Sequence, residues 1–375
     1  MPKKRIGILT GGGDAPGLNA VIYSFVRACM NTMNYEIIGY KFGYRGLYNN
    51  DFVVLDRNTT SGILHKGGTI LFSSNKDNLF NYTVEEGGQK IKKDVSDVAV
   101  ANMKKEGVEV LVVLGGDGTL TSARDFARKG IKVIGVPKTI DNDLAATDVT
   151  FGFDTAVNIV AENLGRLHTT AESHHRVMVT EVMGRSAGWI ALHAGIAGSA
   201  DVILIPEIPY TIDGIVAKIN ERKAHGKEFT IVCVTEGAIE KDGSVSIGKV
   251  VDDSPDAMRF GGVAAKIAHQ LEQRIDNEVR YCVLGHIQRG GDTSPADRIL
   301  SSRYGVKAAQ LIKEENFGNM VCLKNGTMGH IALETVLSEI AGETGATAKG
   351  GDNIVDPNGE LVKVAKQMGI SFADA

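Results

Sequence analysis

The chain has few of the features that mark secreted, membrane-spanning or nucleic-acid-binding proteins. Only 4 of its 375 residues are cysteine, and they are far apart with no Cys-x-x-Cys pair, which favours reduced core thiols over disulfides or a zinc site. No apolar run approaches the ~20 residues that a membrane-spanning helix needs. The N-terminal Met1–Lys4 leads directly into an apolar segment, with no visible signal peptide. We therefore expect a cytoplasmic protein that does not bind membranes.

The charge balance is close to neutral, and glycine is the residue in excess. Lys plus Arg number 41 and Asp plus Glu 45, for a formal net charge of −4, which argues against a nucleic-acid partner but is compatible with a local basic pocket. Glycine accounts for 45 of 375 residues, well above the average of about 7%. These glycines are concentrated where apolar segments end, which indicates backbone that approaches a ligand closely.

Short apolar segments alternate with helical patterns along most of the chain. Arg5–Leu9 and Val108–Leu114 are typical of buried strands, whereas Thr155–Ala171 has apolar residues spaced by three and four, as on one helix face. This alternation predicts parallel sheets covered by helices on both faces. The expected fold is α/β, with two doubly wound, mostly parallel lobes and an active site in the cleft between them.

The predicted lobes are each built from more than one stretch of chain. The first comprises residues 1–152 plus about 288–325, and the second comprises 153–287 plus part of the C-terminal region. The polar, irregular segment Leu55–Gly88 is expected to form a loop over the site. The glycine- and charge-rich region from about 340 to 375 is expected to be a peripheral appendage.

Three predicted strands run into turns that carry glycine and acid: Gly11–Gly17, Gly115–Thr119 and Pro137–Asp143. Open α/β folds place ligands at such strand ends. Glycine turns before a helix let backbone amides approach an anion, although the first turn alone is equally compatible with a tight structural turn. Asp117 is suited to hold Mg²⁺ that phosphates already bridge. Of Asp141 and Asp143, one carboxylate can accept a proton from an attacking hydroxyl while the other orients metal-bound water.

Cationic residues stand at predicted strand ends in the second half of the chain: Arg176, Arg185, Arg280, His286 and Arg289. Each arginine alone is more typical of a surface ion pair, and the histidine of a structural role. Together they favour a phosphate-bearing substrate, because guanidinium groups bind phosphate in a bidentate manner. Glu236 is suited to accept hydrogen bonds from sugar hydroxyls, but is equally compatible with an ordinary loop acid.

Taken together, these motifs resemble the phosphofructokinase family over roughly Ile6 to Lys307. The resemblance implies a kinase that transfers a phosphoryl group from ATP–Mg²⁺ to the 1-hydroxyl of fructose 6-phosphate, which yields fructose 1,6-bisphosphate and ADP in glycolysis. The matching segments are Gly11–Asn19, Gly115–Thr119, Pro137–Asp143, Glu181–Arg185, Pro206–Pro209 and Gly285–Gly291.

The resemblance also implies roles for individual residues. Asp141 matches the catalytic base, assisted by Thr139 and Asp143, and Asp117 matches the magnesium carboxylate. Arg176 and Arg280 match arginines that reach in from a neighbouring subunit, which implies a homodimer or homotetramer. Lys138 and Arg185 complete the catalytic set. The implied ATP-binding residues are Gly13, Tyr44, Gly116, Asp117, Gly118 and Thr119, and the implied sugar-phosphate residues are Arg176, Met183, Gly184, Arg185, Glu236, Arg280, His286 and Arg289.

Two positions bear on the phosphoryl donor. In this family, glycine at the position of Gly118 leaves room for the α-phosphate of ATP, whereas aspartate there crowds and repels it and accompanies pyrophosphate use. At the position of Lys138, many bacterial ATP enzymes have glycine and pyrophosphate enzymes have lysine. Steric exclusion at position 118 outweighs an added cation, so ATP is expected.

We consider four alternatives, and the sequence argues against the last two. One is a reversible pyrophosphate-dependent phosphotransferase, and another is a broader ketose-phosphate kinase that also accepts sedoheptulose 7-phosphate. A non-catalytic regulatory subunit would have lost Asp141 or the cations, and neither is lost. A lipid or NAD kinase would share Gly115–Thr119 but would not explain Gly285–Gly291.

The chain departs from the common bacterial pattern after Gly67-Gly68-Thr69. That pattern reaches an arginine that contacts the donor phosphates, whereas this chain has Asn75 followed by Lys76. We hypothesise that Lys138 supplies the missing positive charge.

A second departure predicts the absence of an allosteric response. Three positions where the family's effector pocket has arginines fall on Tyr23, His168 and His225, while Arg27 and Lys227 remain. Losing three cations weakens anion binding severely. We therefore expect that phosphoenolpyruvate and ADP do not regulate this enzyme through that pocket. A sigmoidal response to phosphoenolpyruvate that Arg27→Ala abolishes would contradict this expectation.

Overall fold

The chain folds into two α/β units, each with its own parallel sheet. The computed structural model describes residues 4–250, 258–341 and 353–374. Within these ranges, unit 1 contains residues 4–140, 144–152 and 289–341, and unit 2 contains 141–143, 153–250, 258–288 and 353–374. None of the described helices is both long and apolar enough to cross a membrane.

Strands and helices alternate as the sequence predicts, and the expected mixed α/β class is confirmed. The strands in chain order are β1 (Arg5–Thr10), β2 (Glu36–Tyr40), β3 (Phe52–Leu55), β4 (Tyr82–Glu86), β5 (Gln89–Lys93), β6 (Val108–Gly115), β7 (Lys132–Pro137), β8 (Val177–Val182), β9 (Val202–Leu204), β10 (Thr230–Thr235), β11 (Ile247–Val250), β12 (Met258–Phe260), β13 (Val279–Val283), β14 (Asn319–Lys324) and β15 (Thr327–Ala332). The helices are α1 (Leu18–Thr32), α2 (Tyr44–Asn49), α3 (Ser96–Glu106), α4 (Asp117–Arg128), α5 (Phe153–His174), α6 (Trp189–Ala197), α7 (Ile212–Ala224), α8 (Val263–Glu272), α9 (Pro295–Lys313), α10 (Leu333–Ala341) and α11 (Glu360–Gln367).

The sheet of unit 1 has the strand order β15-β14-β7-β6-β1-β2-β3. The five inner strands run parallel, and the edge strands β15 and β3 run antiparallel to their neighbours. The chain leaves β1 towards β2 on one side and later adds β6 on the other side. The gap between the carboxyl ends of β1 and β6 is therefore the topological switch point, where open α/β sheets bind ligands.

Both faces of this sheet are covered by helices. Val110 and Val112 of β6 belong to a buried cluster that includes residues of α1 and α9. Leu111 and Val113 belong to a second cluster that includes residues of α3, α4 and α10. Because successive side chains of a strand point to opposite faces, this alternation shows the doubly wound arrangement directly.

Two hairpins of unit 1 lie outside the predicted alternation. Glu86 pairs with Gln89 across the two-residue turn Gly87-Gly88, and Lys324 pairs with Thr327 across Asn325-Gly326. Two-residue Gly-Gly and Asn-Gly turns are strong local hairpin signals. The first hairpin therefore replaces the end of the irregular segment that the sequence predicted.

Unit 2 has a four-stranded parallel sheet in the order β13-β8-β10-β9. Val202 and Leu204 of β9 belong to the buried cluster formed with α7 and α8. Ile203, between them, faces α6, where a Cβ on Gly195 would lie 2.6 Å from its side chain. Helices therefore cover both faces of this sheet too.

The described C-terminal residues belong to the body of unit 2. The amide of Ile203 donates to the carbonyl of Ser371 (2.9 Å), and the amide of Thr211 donates to that of Ala373 (2.8 Å). Phe372 is 1% exposed. This differs from the predicted peripheral appendage, because a few apolar side chains in a charge-rich region suffice to cover a sheet edge. Residues 342–352 and 375 of that prediction lie outside the described residues.

Removing the Phe372 side chain tests whether the C-terminal segment stabilises unit 2. Phe372→Ala should lower the free energy of unfolding by about 3–5 kcal/mol, as expected for a fully buried phenylalanine. Met368→Ala, at a position that is 59% exposed, is the matched control and should change it by less than about 0.5 kcal/mol. Chemical denaturation measures both, and equal effects would show that the segment is peripheral.

Candidate active site

Strand register in unit 1 brings three loops to one edge of the sheet. Gly115 of β6 is in register with Pro137 of β7, and Leu114 is in register with Thr10 of β1. The three strands therefore end at the same level. The turns that begin at Gly11, Gly116 and Lys138 leave the sheet side by side.

The start of α4 is the helix N-terminus beside these turns. Asp117 is its first residue, and no side chain caps the helix at Gly116. The amides of Thr119 and Leu120 donate to the carbonyl of Gly116 (3.0 and 2.9 Å), and the helix dipole favours an anion at this N-terminus. Gly118, the second residue, is exposed. This geometry suits a phosphate group.

The first glycine turn packs against α4 and lies apart from the start of the helix that follows it. A Cβ on Gly11 would lie 2.6 Å from the methyl group of Thr119, so the close approach requires glycine. Helix α1 begins only at Leu18, and Gly17 before it packs against Phe151. The sequence predicts anion binding at both glycine turns, and the structure places the first of them against Thr119 in the first turn of α4.

Internal hydrogen bonds hold the glycine turn in place. The amide of Gly11 donates to the carbonyl of Leu114 (2.9 Å), and that of Gly12 donates to the carbonyl of Ser74 (2.9 Å). Thr10 Oγ1 donates to the carbonyl of Phe72 (2.7 Å). The loop predicted to cover the site therefore packs onto the β1 turn.

Lys138 directs its ammonium group at the same turn. Its side chain is buried, and Nζ donates to the carbonyl of Gly13. A Cβ on Gly12 would lie 3.4 Å from Nζ. The cation thus stands beside the glycine turn, and its contact with donor phosphates stays a prediction.

Tyr44 and Arg289 support these turns from two sides. The Tyr44 ring is 4% exposed, and its hydroxyl donates to the carbonyl of Thr119 (2.8 Å). Burial raises the pKa of Tyr44 well above its usual value, so the hydroxyl remains a donor. Arg289 donates to the carbonyl of Asp14 (2.8 Å). The resemblance implies that Tyr44 binds ATP and that Arg289 binds the sugar phosphate. In unit 1 the two side chains contact the backbone of Thr119 and Asp14, respectively.

The donor set at this edge suits Mg²⁺ held mainly by a substrate. In the described ranges no three His, Cys, Asp or Glu residues are grouped to hold a metal ion. Mg²⁺ commonly uses one or two carboxylates together with phosphate oxygens and water. Asp117, the first residue of α4, has the carboxylate that such a site needs.

In unit 2, most of the residues predicted to bind the sugar phosphate lie at the carboxyl ends of three adjacent strands. The amide of Arg185, after β8, donates to Glu236 Oε1, after β10 (3.3 Å). The amide of Met183 donates to Oε1 of the buried Gln288 (3.3 Å), in the turn that follows β13. His286, in that same turn, is exposed. A cation, a carboxylate and an imidazole therefore stand at one sheet edge.

Glycine is required where the turns after β8 and β10 meet. A Cβ on Gly237 would collide with the carbonyl oxygen of Arg185, and Gly184 has a φ of 142°. A side chain at either position would push the Arg185 turn away from Glu236.

The acidic turn Asp141–Asp143 is buried in unit 2. Asn142 has a φ of 54°. Asn353 contacts this turn twice, because its amide donates to the carbonyl of Asp143 and its Nδ2 to the carbonyl of Asn142, both at 2.8 Å. Sequence reasoning missed Asn353, since no motif or periodicity connects residues so far apart in the chain. In unit 1, Thr150 Oγ1 donates to the carbonyl of Thr139 (2.8 Å).

Arg176 and Arg280 lie near the amino ends of the unit 2 strands, opposite the edge that carries Arg185 and Glu236. Both donate to the carboxylate of Glu278, and the Arg176 guanidinium in particular holds the pKa of Glu278 below its usual value. Arg176 immediately precedes β8, and Met183 immediately follows it. A strand of this length separates them by about 20 Å, so within one chain these two arginines stand apart from the other acceptor residues.

The family model for phosphofructokinases matches residues 5–312 of the chain. The chain belongs to the phosphofructokinase family.

The names of relatives in this family state different phosphoryl donors, ATP or pyrophosphate. The chain is 65% identical to ATP-dependent 6-phosphofructokinase 2 of Clostridium perfringens, over 100% of both chains. It is 44% identical to the pyrophosphate–fructose 6-phosphate 1-phosphotransferase of Amycolatopsis mediterranei, over 90% of this chain and 95% of that one. A solved phosphofructokinase structure from Saccharomyces cerevisiae superposes with a TM-score of 0.76 at 27% identity, covering 90% of this chain and 45% of the yeast chain.

The position of the Lys138 ammonium group predicts a large loss on its removal. Lys138→Gly should lower kcat at least about 100-fold, the usual cost of removing one preorganised group that stabilises developing charge. Lys76→Gly, at an exposed loop lysine, is the control and should leave kcat unchanged. Steady-state kinetics measures both, and a normal kcat for Lys138→Gly would refute the role of Lys138.

Proposed function

We propose that this phosphofructokinase transfers the γ-phosphoryl group of ATP to the 1-hydroxyl of fructose 6-phosphate. The products are fructose 1,6-bisphosphate and ADP. The observation that carries the choice of ATP is Gly118, which has no side chain and is exposed in the first turn of α4, next to Asp117. The 65% identical relative that is named as ATP-dependent supports the same choice.

The donor half of the reaction uses the edge of the unit 1 sheet. The amides at the start of α4 bind phosphate oxygens, and Lys138 adds a positive charge beside the glycine turn. Asp117 holds Mg²⁺, which when bound neutralises charge on the phosphates. An aspartate in place of Gly118 would set a second carboxylate beside Asp117 and repel the α-phosphate.

The acceptor half uses the edge of the unit 2 sheet. Arg185 and His286 are the cations at this edge that we propose for the transferred group and the sugar phosphate, and Glu236 accepts hydrogen bonds from sugar hydroxyls. Arg289, which belongs to unit 1, is also proposed to bind the sugar phosphate. Met183 lines the sugar pocket. The cations can then bind the phosphate of a ketose phosphate, and Glu236 can bind its hydroxyls.

Asp141 is the proposed general base. The 1-hydroxyl oxygen of fructose 6-phosphate attacks the γ-phosphorus, the bond to the bridging oxygen of ADP breaks, and the hydroxyl proton passes to Asp141. Thr139 and Asp143 assist from the same loop. The rate enhancement comes from positioning and charge neutralisation, because the protein forms no covalent bond with the substrate.

We also propose a homo-oligomer, a dimer or tetramer, in which Arg176 and Arg280 serve the active site of a neighbouring subunit. Arg176 precedes β8, and Arg280 is in register with Met178 near the start of that strand. Both are therefore at least about 16 Å from Met183 at its far end, which supports this assignment. The cytoplasm is the proposed location. There thiols stay reduced, and all four cysteines are free in the structure.

Pyrophosphate use is the second candidate. Lys138 favours it by the family pattern, and the 44% identical relative from Amycolatopsis mediterranei carries that activity in its name. Gly118 argues against it on steric grounds.

Measuring fructose 1,6-bisphosphate with ATP and pyrophosphate in parallel decides between the two donors. We expect product with ATP and Mg²⁺ only. Gly118→Asp should then lower kcat/KM for ATP at least about 100-fold, as one unit charge placed against a phosphate near the protein surface costs about 3–4 kcal/mol. Product with pyrophosphate only would overturn the proposal. Sedoheptulose 7-phosphate in the same assay measures the breadth of the acceptor site.

A further inference from the structure

The C-terminal segment contacts the acidic turn that carries the proposed base. We propose that Asn353 is a positioning residue, which holds the backbone of Asn142 and Asp143 and thereby fixes the carboxylate of Asp141. This inference rests on the proposed role of Asp141. It gives the C-terminal segment a part in catalysis as well as in the stability of unit 2.

One residue holds two successive carbonyls of the turn. The Asn353 amide donates to the carbonyl of Asp143 and its side-chain Nδ2 donates to the carbonyl of Asn142, each at 2.8 Å. The turn is buried, with Asp141 3% and Asn142 5% exposed, so these carbonyls need protein partners. Asn142 also has left-handed backbone, with a φ of 54°, a conformation that persists where surrounding contacts enforce it.

Asn353 is itself held from two directions. The indole Nε1 of Trp189, the first residue of α6, donates to the Asn353 carbonyl (2.7 Å). Two residues further on, the amide of Val355 donates to Glu207 Oε1 (2.9 Å), which also accepts from the amide of Gly188 (2.9 Å). The start of α6, the carboxylate of Glu207 and residues 353–355 form one hydrogen-bonded support for the turn.

The far end of the segment is fixed as well. The amide of Ser371 donates to the carbonyl of Asp201 (3.0 Å), and the carbonyl of Ala373 accepts from the amide of Thr211 at the start of α7 (2.8 Å). A segment anchored at both ends is rigid enough to position another. A general base must lie within hydrogen-bond reach of the proton that it accepts, and a displacement of about 1 Å can cost about 100-fold in rate.

Substitutions at residue 353 test the proposal by steady-state kinetics. Asn353→Ala removes the Nδ2 donor and should lower kcat about tenfold, with KM for both substrates within about twofold. Asn353→Asp keeps the size of the side chain but turns an acceptor towards the Asn142 carbonyl, and should lower kcat further. Asn358→Ala is the matched control, because Asn358 is exposed in the same segment. It should leave kcat unchanged.

The only tryptophan of the chain supplies a second readout. Trp189 fluorescence should change in Asn353→Ala and stay unchanged in Asn358→Ala. Trp189→Phe removes the donor to the Asn353 carbonyl without altering residue 353, and should lower kcat about threefold. This variant keeps the proposal testable if the substitutions at residue 353 reduce folding.

The outcomes separate the positioning role from the proposed function. Equal kcat for Asn353→Ala and Asn358→Ala would overturn the positioning role. So would a loss of kcat that thermal unfolding shows to be a loss of folded protein, with Trp189→Phe at the wild-type rate. Asp141→Asn is the reference. If it keeps the wild-type kcat, the proposed base is wrong; if it loses activity while Asn353→Ala does not, only the positioning role fails.

Discussion

The common register of β1, β6 and β7 is the constraint on which the rest of unit 1 depends. A shift of β6 by one residue would move Val110 and Val112 from one buried cluster to the other, reversing every side chain of the strand. The same shift would separate the start of α4 from the turns after β1 and β7. The apolar packing on both faces therefore places Asp117 and Lys138 at one edge.

In unit 2, parallel strands likewise place polar side chains together at one edge of the sheet. Its parallel strands end in turns that carry Arg185 and Glu236. Hydrogen bonds, such as the one that the buried Gln288 side chain accepts from the amide of Met183, join these turns. Asn353 holds the acidic turn through hydrogen bonds to the carbonyls of Asn142 and Asp143. Phosphoryl transfer suits this construction, since its catalysis depends on holding charged groups in position.

Local patterns predicted the regular elements well where a segment buries a face. Strands β1 (Arg5–Thr10) and β6 (Val108–Gly115) each extend only one residue beyond the predicted segments Arg5–Leu9 and Val108–Leu114. The sequence analysis did not predict the hairpins β4–β5 and β14–β15. Most residues of β4–β5 are exposed, so apolar periodicity is weak, although both hairpins carry two-residue turns that signal a hairpin.

The sequence by itself determined the α/β class, the three turns that carry glycine and acid at strand ends, and the residues suited to each chemical role. These depend on short segments, whose composition sets backbone conformation and the identity of neighbouring groups. Only the tertiary structure decided that Asn353 holds the acidic turn, that Arg289 contacts Asp14, and that Arg176 and Arg280 share Glu278 away from the acceptor edge. Contacts between distant positions depend on how all the elements pack, and no local pattern encodes that packing.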